Sequence, residues 1–290
     1  MEFFRPTSLS DACRLKSEHP DAVPLCGGTD VMVDINFDRH RPESLLDLTA
    51  VPELFGWSRY DGHLRIGAAM PYTAIIAELS AEAPGLAIAS RTVGSPQIRN
   101  RASVGGNLGS ASPAGDALPP LLAVDAEVEA ISAAGTRRIP IHEFFLGPKR
   151  NALRPDELIA AVHLPVARGP QQFAKVGTRN AMVIAVCSFS LALHPDAGRV
   201  GTGIGSAAPT PLPAREAETF LAGELTDRWA EPSDLSEDVV RRFGELVASA
   251  AVPIDDVRGT AAYRRHALSV LARRTLTWTW ADHIQRMGQR

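Results

Sequence analysis

The chain has 290 residues, 45% of them hydrophobic, and a formal net charge of −3. That length holds two domains or one large one with a sizeable core, and the slight negative charge gives no electrostatic reason to expect nucleic acid or an anionic membrane as a partner. No apolar run approaches the roughly 18–20 residues that a membrane helix needs, and the first fifteen residues carry Glu2, Arg5 and Asp11 instead of a leader-type apolar stretch.

Along the chain, short apolar runs alternate with helical patterns, which predicts a mixed α/β architecture. Val23–Leu25 reads as a strand entering the turn Gly27-Gly28, and Ser44–Leu48 and His63–Ala68 read as further strands. Pro71–Leu79 and Pro84–Thr92 open with proline at a plausible helix start and continue with good helix formers. A Gly- and Ser-rich stretch from Ser103 to Gly115 reads as a loop. Ala126–Ile131 and Arg137–Ile141 flank Ala134-Gly135 as a hairpin, and Leu158–Leu164 is a strand stopped by Pro165.

Arg168-Gly169-Pro170 marks the expected boundary between a first domain over 1–168, divided near residue 55, and a second over 171–288. In the second, Met182–Leu193 reads as a long strand, His194–Gly198 as a turn and Arg199–Ser206 as the return strand. Pro209–Pro213 interrupts before a helix at Arg215–Leu221. Ser236 is a good cap for a helix running to Ser249, and Tyr263, Ala267, Val270 and Leu271 keep helical spacing in a last long helix. The second part is thus expected to be a small antiparallel sheet with helices.

Two glycine segments carry the chemistry. The first is Leu25-Cys26-Gly27-Gly28-Thr29-Asp30; the second is Ser103-Val104-Gly105-Gly106-Asn107, followed by Ser112-Pro113-Ala114-Gly115-Asp116. Without a Cβ, glycine lets backbone N–H groups come close to an anion and tolerates positive φ. Two such segments with hydroxyls at Thr29 and Ser103 suit a dinucleotide's diphosphate, although a Gly-Gly pair alone more commonly marks a tight turn. Gly201-Thr202-Gly203-Ile204-Gly205 lacks GxGxxG spacing and is followed by Pro209 and Pro211, so it reads as a strand. The histidines show no metal-ligand spacing, so no metal site is expected. The three cysteines, Cys13, Cys26 and Cys187, form no CxxC pair, which argues against a disulfide framework and fits a reduced cytoplasmic setting. Cys26 abuts the first segment; a redox role and a simple space-filling role are both open there.

These segments resemble the two flavin-diphosphate loops of the FAD subunits of molybdenum hydroxylases, the xanthine dehydrogenase and carbon monoxide dehydrogenase family. Ser112–Asp116, Glu157–Pro165, Ile204–Pro211 with Arg215–Glu218, and Tyr263-Arg264-Arg265 extend the resemblance, in order, along nearly the whole chain. It implies an FAD-binding domain of two subdomains, like that of vanillyl-alcohol oxidase, and an α+β C-terminal domain. It implies cofactor contacts at Leu25, Cys26, Gly27, Gly28, Thr29 and Asp30, and at Ser103, Val104, Gly105, Gly106 and Asn107. Val93 is expected near the flavin or adenine, Asp116 at the polar side chain or its loop, Leu158 or Ile159 on the ring, and Lys175 at the pyrimidine edge. No catalytic residue is expected in this chain. The resemblance further implies a large molybdenum-cofactor subunit and a small [2Fe–2S] subunit as partners, arranged as a dimer of heterotrimers, with NAD+, oxygen or a quinone as acceptor. A free-standing flavoenzyme with its own substrate is the rival reading. Relatives that reduce hydroxybenzoyl-CoA carry an extra cysteine-rich cluster loop, and this chain lacks those cysteines.

Overall fold

The computed structural model describes residues 1–289. The first part alternates strand and helix: β1 (Glu2–Phe4), α1 (Leu9–Glu18), β2 (Val23–Leu25), α2 (Val31–Asn36) and β3 (Ser44–Asp47). The strands pair in parallel in the order β1-β3-β2. Ser8 starts α1 by accepting from the Asp11 amide, which satisfies one free donor of the first turn. Every residue of the central strand β3 is buried, as covered parallel strands are.

The next part contains β4 (Trp57–Tyr60), β5 (His63–Gly67), α3 (Tyr72–Glu78), α4 (Pro84–Thr92), α5 (Pro96–Arg99), α6 (Val104–Ser110) and α7 (Leu118–Ala123). It closes with β6 (Glu127–Ser132), β7 (Gly135–Pro140), α8 (Ile141–Phe144), β8 (Phe145–Gly147), β9 (Arg150–Asn151) and β10 (Leu158–Pro165). Five strands form an antiparallel sheet in the order β4-β5-β10-β6-β7. On one face Leu64, Ile66, Val128, Val162 and Leu164 pack with Ile75, Leu86, Leu108 and Leu121 of the helices. On the other, Leu158 and Ala160 join Ala12, Leu46 and Leu54, fastening the parallel sheet to this one. The expected hairpin is β6–β7, turning where Ser132 pairs with Gly135.

The last part has β11 (Gln171–Val176), β12 (Cys187–His194) and β13 (Arg199–Gly205) in an antiparallel sheet, then α9 (Arg215–Glu224), α10 (Glu237–Ala250) and α11 (Ala261–Gly288). Phe189, Leu191, Leu221, Phe243, Leu268 and Leu276 form its core, each such side chain contributing about 1.5–3 kcal/mol by burial. Ser236 caps α10 through the Val239 amide and Thr260 caps α11 through the Tyr263 amide.

Three local expectations need correction. The expected strand from Met182 begins only at Cys187: Met182 sits at φ 50°, and the Val183 carbonyl is taken by Lys175. Strand β11, not anticipated, pairs with β12 along its whole length. Ser103–Gly115 is not all loop, because Ser103 caps a short helix, α6. The Gly201–Gly205 pattern is strand β13, as expected. Its glycines face α7: a Cβ on Gly201 or Gly203 would run into the Ala123 or Pro119 carbonyl.

Candidate cofactor site

A cavity of about 560 Å³ lies between the parallel sheet and the five-stranded sheet, within the ~300–1,000 Å³ of small-molecule sites. Cys26, Gly27, Gly28, Thr29 and Asp30 line one side, and Ser103, Gly105, Gly106 and Asn107 another. Val93, Leu158 and Ile159 also face it. Leu25, Val104, Asp116 and Lys175 do not line it. A register shift between Ile159 and Ala161 in the β10–β6 pairing falls where the two consecutive residues Leu158 and Ile159 reach the same space.

The two glycine segments are built differently. Gly28 has φ +74°, a conformation that costs other residues energy. Gly27 packs so closely on the Arg101 carbonyl that a Cβ has no room. The amides of Gly27, Gly28 and Thr29 donate to no acceptor among the described residues, so this segment presents free donors. In the second segment the amides of Gly105, Gly106 and Asn107 are already used. Gly105 N–H donates to the Ala68 carbonyl at 2.9 Å, Gly106 N–H to Ser103 Oγ at 3.1 Å, and Asn107 N–H to the Ser103 carbonyl at 3.1 Å. A Cβ on Gly105 would lie 2.5 Å from Ala68 Cβ, whereas one on Gly106 would meet only Ser103 Oγ at 3.4 Å. Gly105 thus serves packing, and Gly106 leaves open space. Ser110 Oγ donates to Asp30 at 2.5 Å, tying the end of α6 to the first segment.

Asp116 and Lys175 pair with each other. Lys175 Nζ is 2.5 Å from Asp116 Oδ2, and both side chains are about one-tenth exposed. The ammonium also donates to the Thr92 carbonyl at 2.9 Å and the Val183 carbonyl at 3.1 Å, so all three protons have acceptors. Burial pushes the Asp116 carboxyl up, against the pull of Lys175 and the Thr92 hydroxyl. The resemblance implies Lys175 at the flavin's pyrimidine edge; in the fold its ammonium makes these three hydrogen bonds.

Lys16 and Tyr72 line the cavity without belonging to any motif of the sequence, and Glu157 lines it at the start of the Glu157–Pro165 segment. Lys16 is buried, its ammonium held by the Pro20 carbonyl at 2.6 Å and the Ala22 carbonyl at 2.8 Å, and burial lowers its pKa. Its rarity, as one of three lysines, was the available signal. Glu157 accepts a bidentate pair from Arg137 at 2.7 and 2.8 Å and the Arg154 amide at 2.7 Å; Arg137 first, then the amide, hold its carboxyl low against burial. Tyr72 lines the cavity at 1% exposure, and its hydroxyl has no partner. Burial, then the Asp116 and Asp30 charges, raise its pKa well above the ordinary tyrosine value. Burial also raises the half-buried Cys26 thiol, against the Ser103 hydroxyl and Arg101.

Free amides at a left-handed glycine, an unpartnered buried hydroxyl and a cavity of this volume fit a dinucleotide cofactor: the fold and site are those of a dinucleotide-binding protein. Residues 1–167 match the family described as the FAD binding domain in molybdopterin dehydrogenase, and residues 172–279 match the CO dehydrogenase flavoprotein C-terminal domain. The chain belongs to this family: it is an FAD-binding medium subunit of the molybdenum hydroxylases, an oxidoreductase component. It is 30% identical to the xanthine dehydrogenase FAD-binding subunit of Escherichia coli O157:H7 over 288 residues, covering 95% of this chain and 94% of that one. It is 33% identical to the nicotinate dehydrogenase FAD-subunit of Eubacterium barkeri over 235 residues, 77% and 79% of the two chains. A crystal structure of a cyanide-inactivated Cu,Mo-CO dehydrogenase matches with TM-score 0.89 at 26% identity, over 97% of this chain and 98% of that one. No helix among the described residues is long and apolar enough to cross a membrane.

Proposed function

We propose that this chain is the electron exit of a cytoplasmic, multi-subunit hydroxylase. A large subunit would hold the molybdenum cofactor and a small subunit the [2Fe–2S] clusters, in a dimer of heterotrimers. A bound FAD supplies the exchange between single electrons arriving from the clusters and the pair handed to NAD+, oxygen or a quinone. The cavity between the two glycine segments carries this reading. The amides of Gly27, Gly28 and Thr29 would donate to the diphosphate, each charge-assisted hydrogen bond contributing about 1.5–3 kcal/mol. The bare backbone of Gly106 would leave room for it, and the Ser103 hydroxyl, already accepting from Gly106, would present its proton outward. Val93, Leu158 and Ile159 would supply apolar contacts that exclude water. Lys175 would act through Asp116, fixing the wall behind the cofactor, with no direct contact to the ring. Relatives named as FAD-binding subunits and medium chains support a partnered role.

Native purification through a tag on this chain tests the reading, with flavin, molybdenum and iron assayed in the eluate. Stoichiometric FAD together with two further subunits, molybdenum and iron is expected. A yellow chain that purifies alone and oxidises a substrate of its own would favour the free-standing flavoenzyme; a colourless chain would remove both.

A further inference from the structure

The Tyr72 hydroxyl is a buried donor with nothing to donate to. Tyr72 opens α3, and its amide donates to the Ala102 carbonyl at 3.1 Å, one residue before Ser103. This bond anchors the residue beside the second glycine segment, where Gly105 is fastened in turn to Ala68. The ring is 1% exposed and packs in the core of the five-stranded sheet, yet the residue lines the cavity. The nearby carboxylates do not satisfy the phenol: Asp30 accepts from Ser110 and Asp116 from Lys175 and Thr92, and neither makes a hydrogen bond to Tyr72. Burial first, and then the charges of these two carboxylates, raise its pKa well above the ordinary tyrosine value, so the hydroxyl keeps its proton and can donate. A buried hydroxyl left unpaired is costly, which makes an oxygen-rich ligand in the cavity its natural acceptor.

We propose that Tyr72 is a positioning residue for FAD, its hydroxyl donating a hydrogen bond to an oxygen of the ribityl–diphosphate stretch beside Ser103. The inference rests on the reading of this cavity as the FAD site. The competing occupant is an enclosed water between Tyr72 and Asp116, whose Oδ1 is also buried and unpartnered.

The test is Tyr72→Phe in the full chain, stripped of flavin and titrated with FAD, with the melting temperature of the stripped protein measured in parallel. Phenylalanine keeps the ring and removes only the donor. FAD affinity is expected to fall about five- to tenfold, the effect of losing one net hydrogen bond. The melting temperature without FAD should stay level or rise, because the variant no longer buries an unpaired hydroxyl. Unchanged affinity would overturn the proposal in favour of the water. A drop in flavin-free melting temperature that accounts for the affinity loss would also overturn it, marking Tyr72 as structural. Should the wild-type chain itself bind no FAD, the reading of the cavity fails before Tyr72 is in question.

Discussion

The ammonium of Lys175 on β11 and the carboxylate of Asp116, 59 residues earlier, meet at 2.5 Å and join the C-terminal sheet to the segment following α6. Removing one member of a buried pair strands the other, at about 3–5 kcal/mol, whereas replacing both costs much less. Lys175→Met should therefore destabilise the full chain by about that amount in urea unfolding, and Lys175→Met with Asp116→Asn by less than the two single changes summed. A single variant within 1 kcal/mol of wild type, on the same scale, would show that the pair is solvated in solution.

The two adjacent glycines of α6 should respond differently. Gly105→Ala places a methyl 2.5 Å from Ala68 Cβ and 2.6 Å from its carbonyl oxygen, overpacking that costs about 1–3 kcal/mol in stability with or without FAD. Gly106→Val projects into open space; it should strip FAD while the flavin-free melting temperature changes little. Flavin analysis and thermal melts of the two proteins decide this, and normal FAD content in Gly106→Val would remove that residue from the site.

Thiol labelling offers a test independent of catalysis. Cys187 is buried and its pKa is pushed up to about 12 by burial, and Cys13 is buried and likewise raised. Cys26 is half-buried and lines the cavity, and its thiol is also raised. At pH 8 a disulfide reagent should modify Cys26 slowly in the flavin-free chain, leave Cys13 and Cys187 untouched, and find no reactive thiol once FAD is bound. Equal rates with and without FAD at Cys26 would place the cofactor elsewhere.

Glu157 gives a pH signature. Arg137, and then the Arg154 amide, hold its carboxyl below the ordinary value in the fold, so the folded state binds its proton less readily than the unfolded chain. Its stabilisation is complete above the ordinary value of about 4.3 and is lost as pH falls through the lower folded value. The contribution is about 1 kcal/mol after allowance for screening at Arg137, whose side chain is 37% exposed. Glu157→Gln should be less stable than wild type at pH 7, with the difference shrinking toward pH 3; stability curves that stay parallel through that range would contradict it.

Much of the architecture is legible because local rules govern it. Strands bounded by Gly and Pro, the turn at Ala134-Gly135 and the cap at Ser236 depend on neighbours a few residues away. Helix α6 was hidden because Gly105, Gly106 and Gly109 are poor helix formers, and tertiary bonds such as Gly105 to Ala68 override that preference. The site was legible as two glycine segments but not as a cavity. Lys16, Tyr72 and Glu157 reach it from separate elements, and no spacing rule links them. The partner of Lys175 was hidden for the same reason: Asp116 is 59 residues away in sequence and meets it only in the fold.

The glycines of β13 bear on how freely the two halves of this chain can be exchanged. With no side chain at Gly201 and Gly203, the strand backbone rests directly on the carbonyls of Ala123 and Pro119 in α7. An interface of that kind has no side chains to repack when the opposing surface changes. A hybrid joining this chain's residues 1–170 to a relative's C-terminal half would have to match the backbone path of α7 closely, or take α7 from the same donor as β13. The C-terminal half is then not a detachable module, and the two halves are expected to diverge as a matched set.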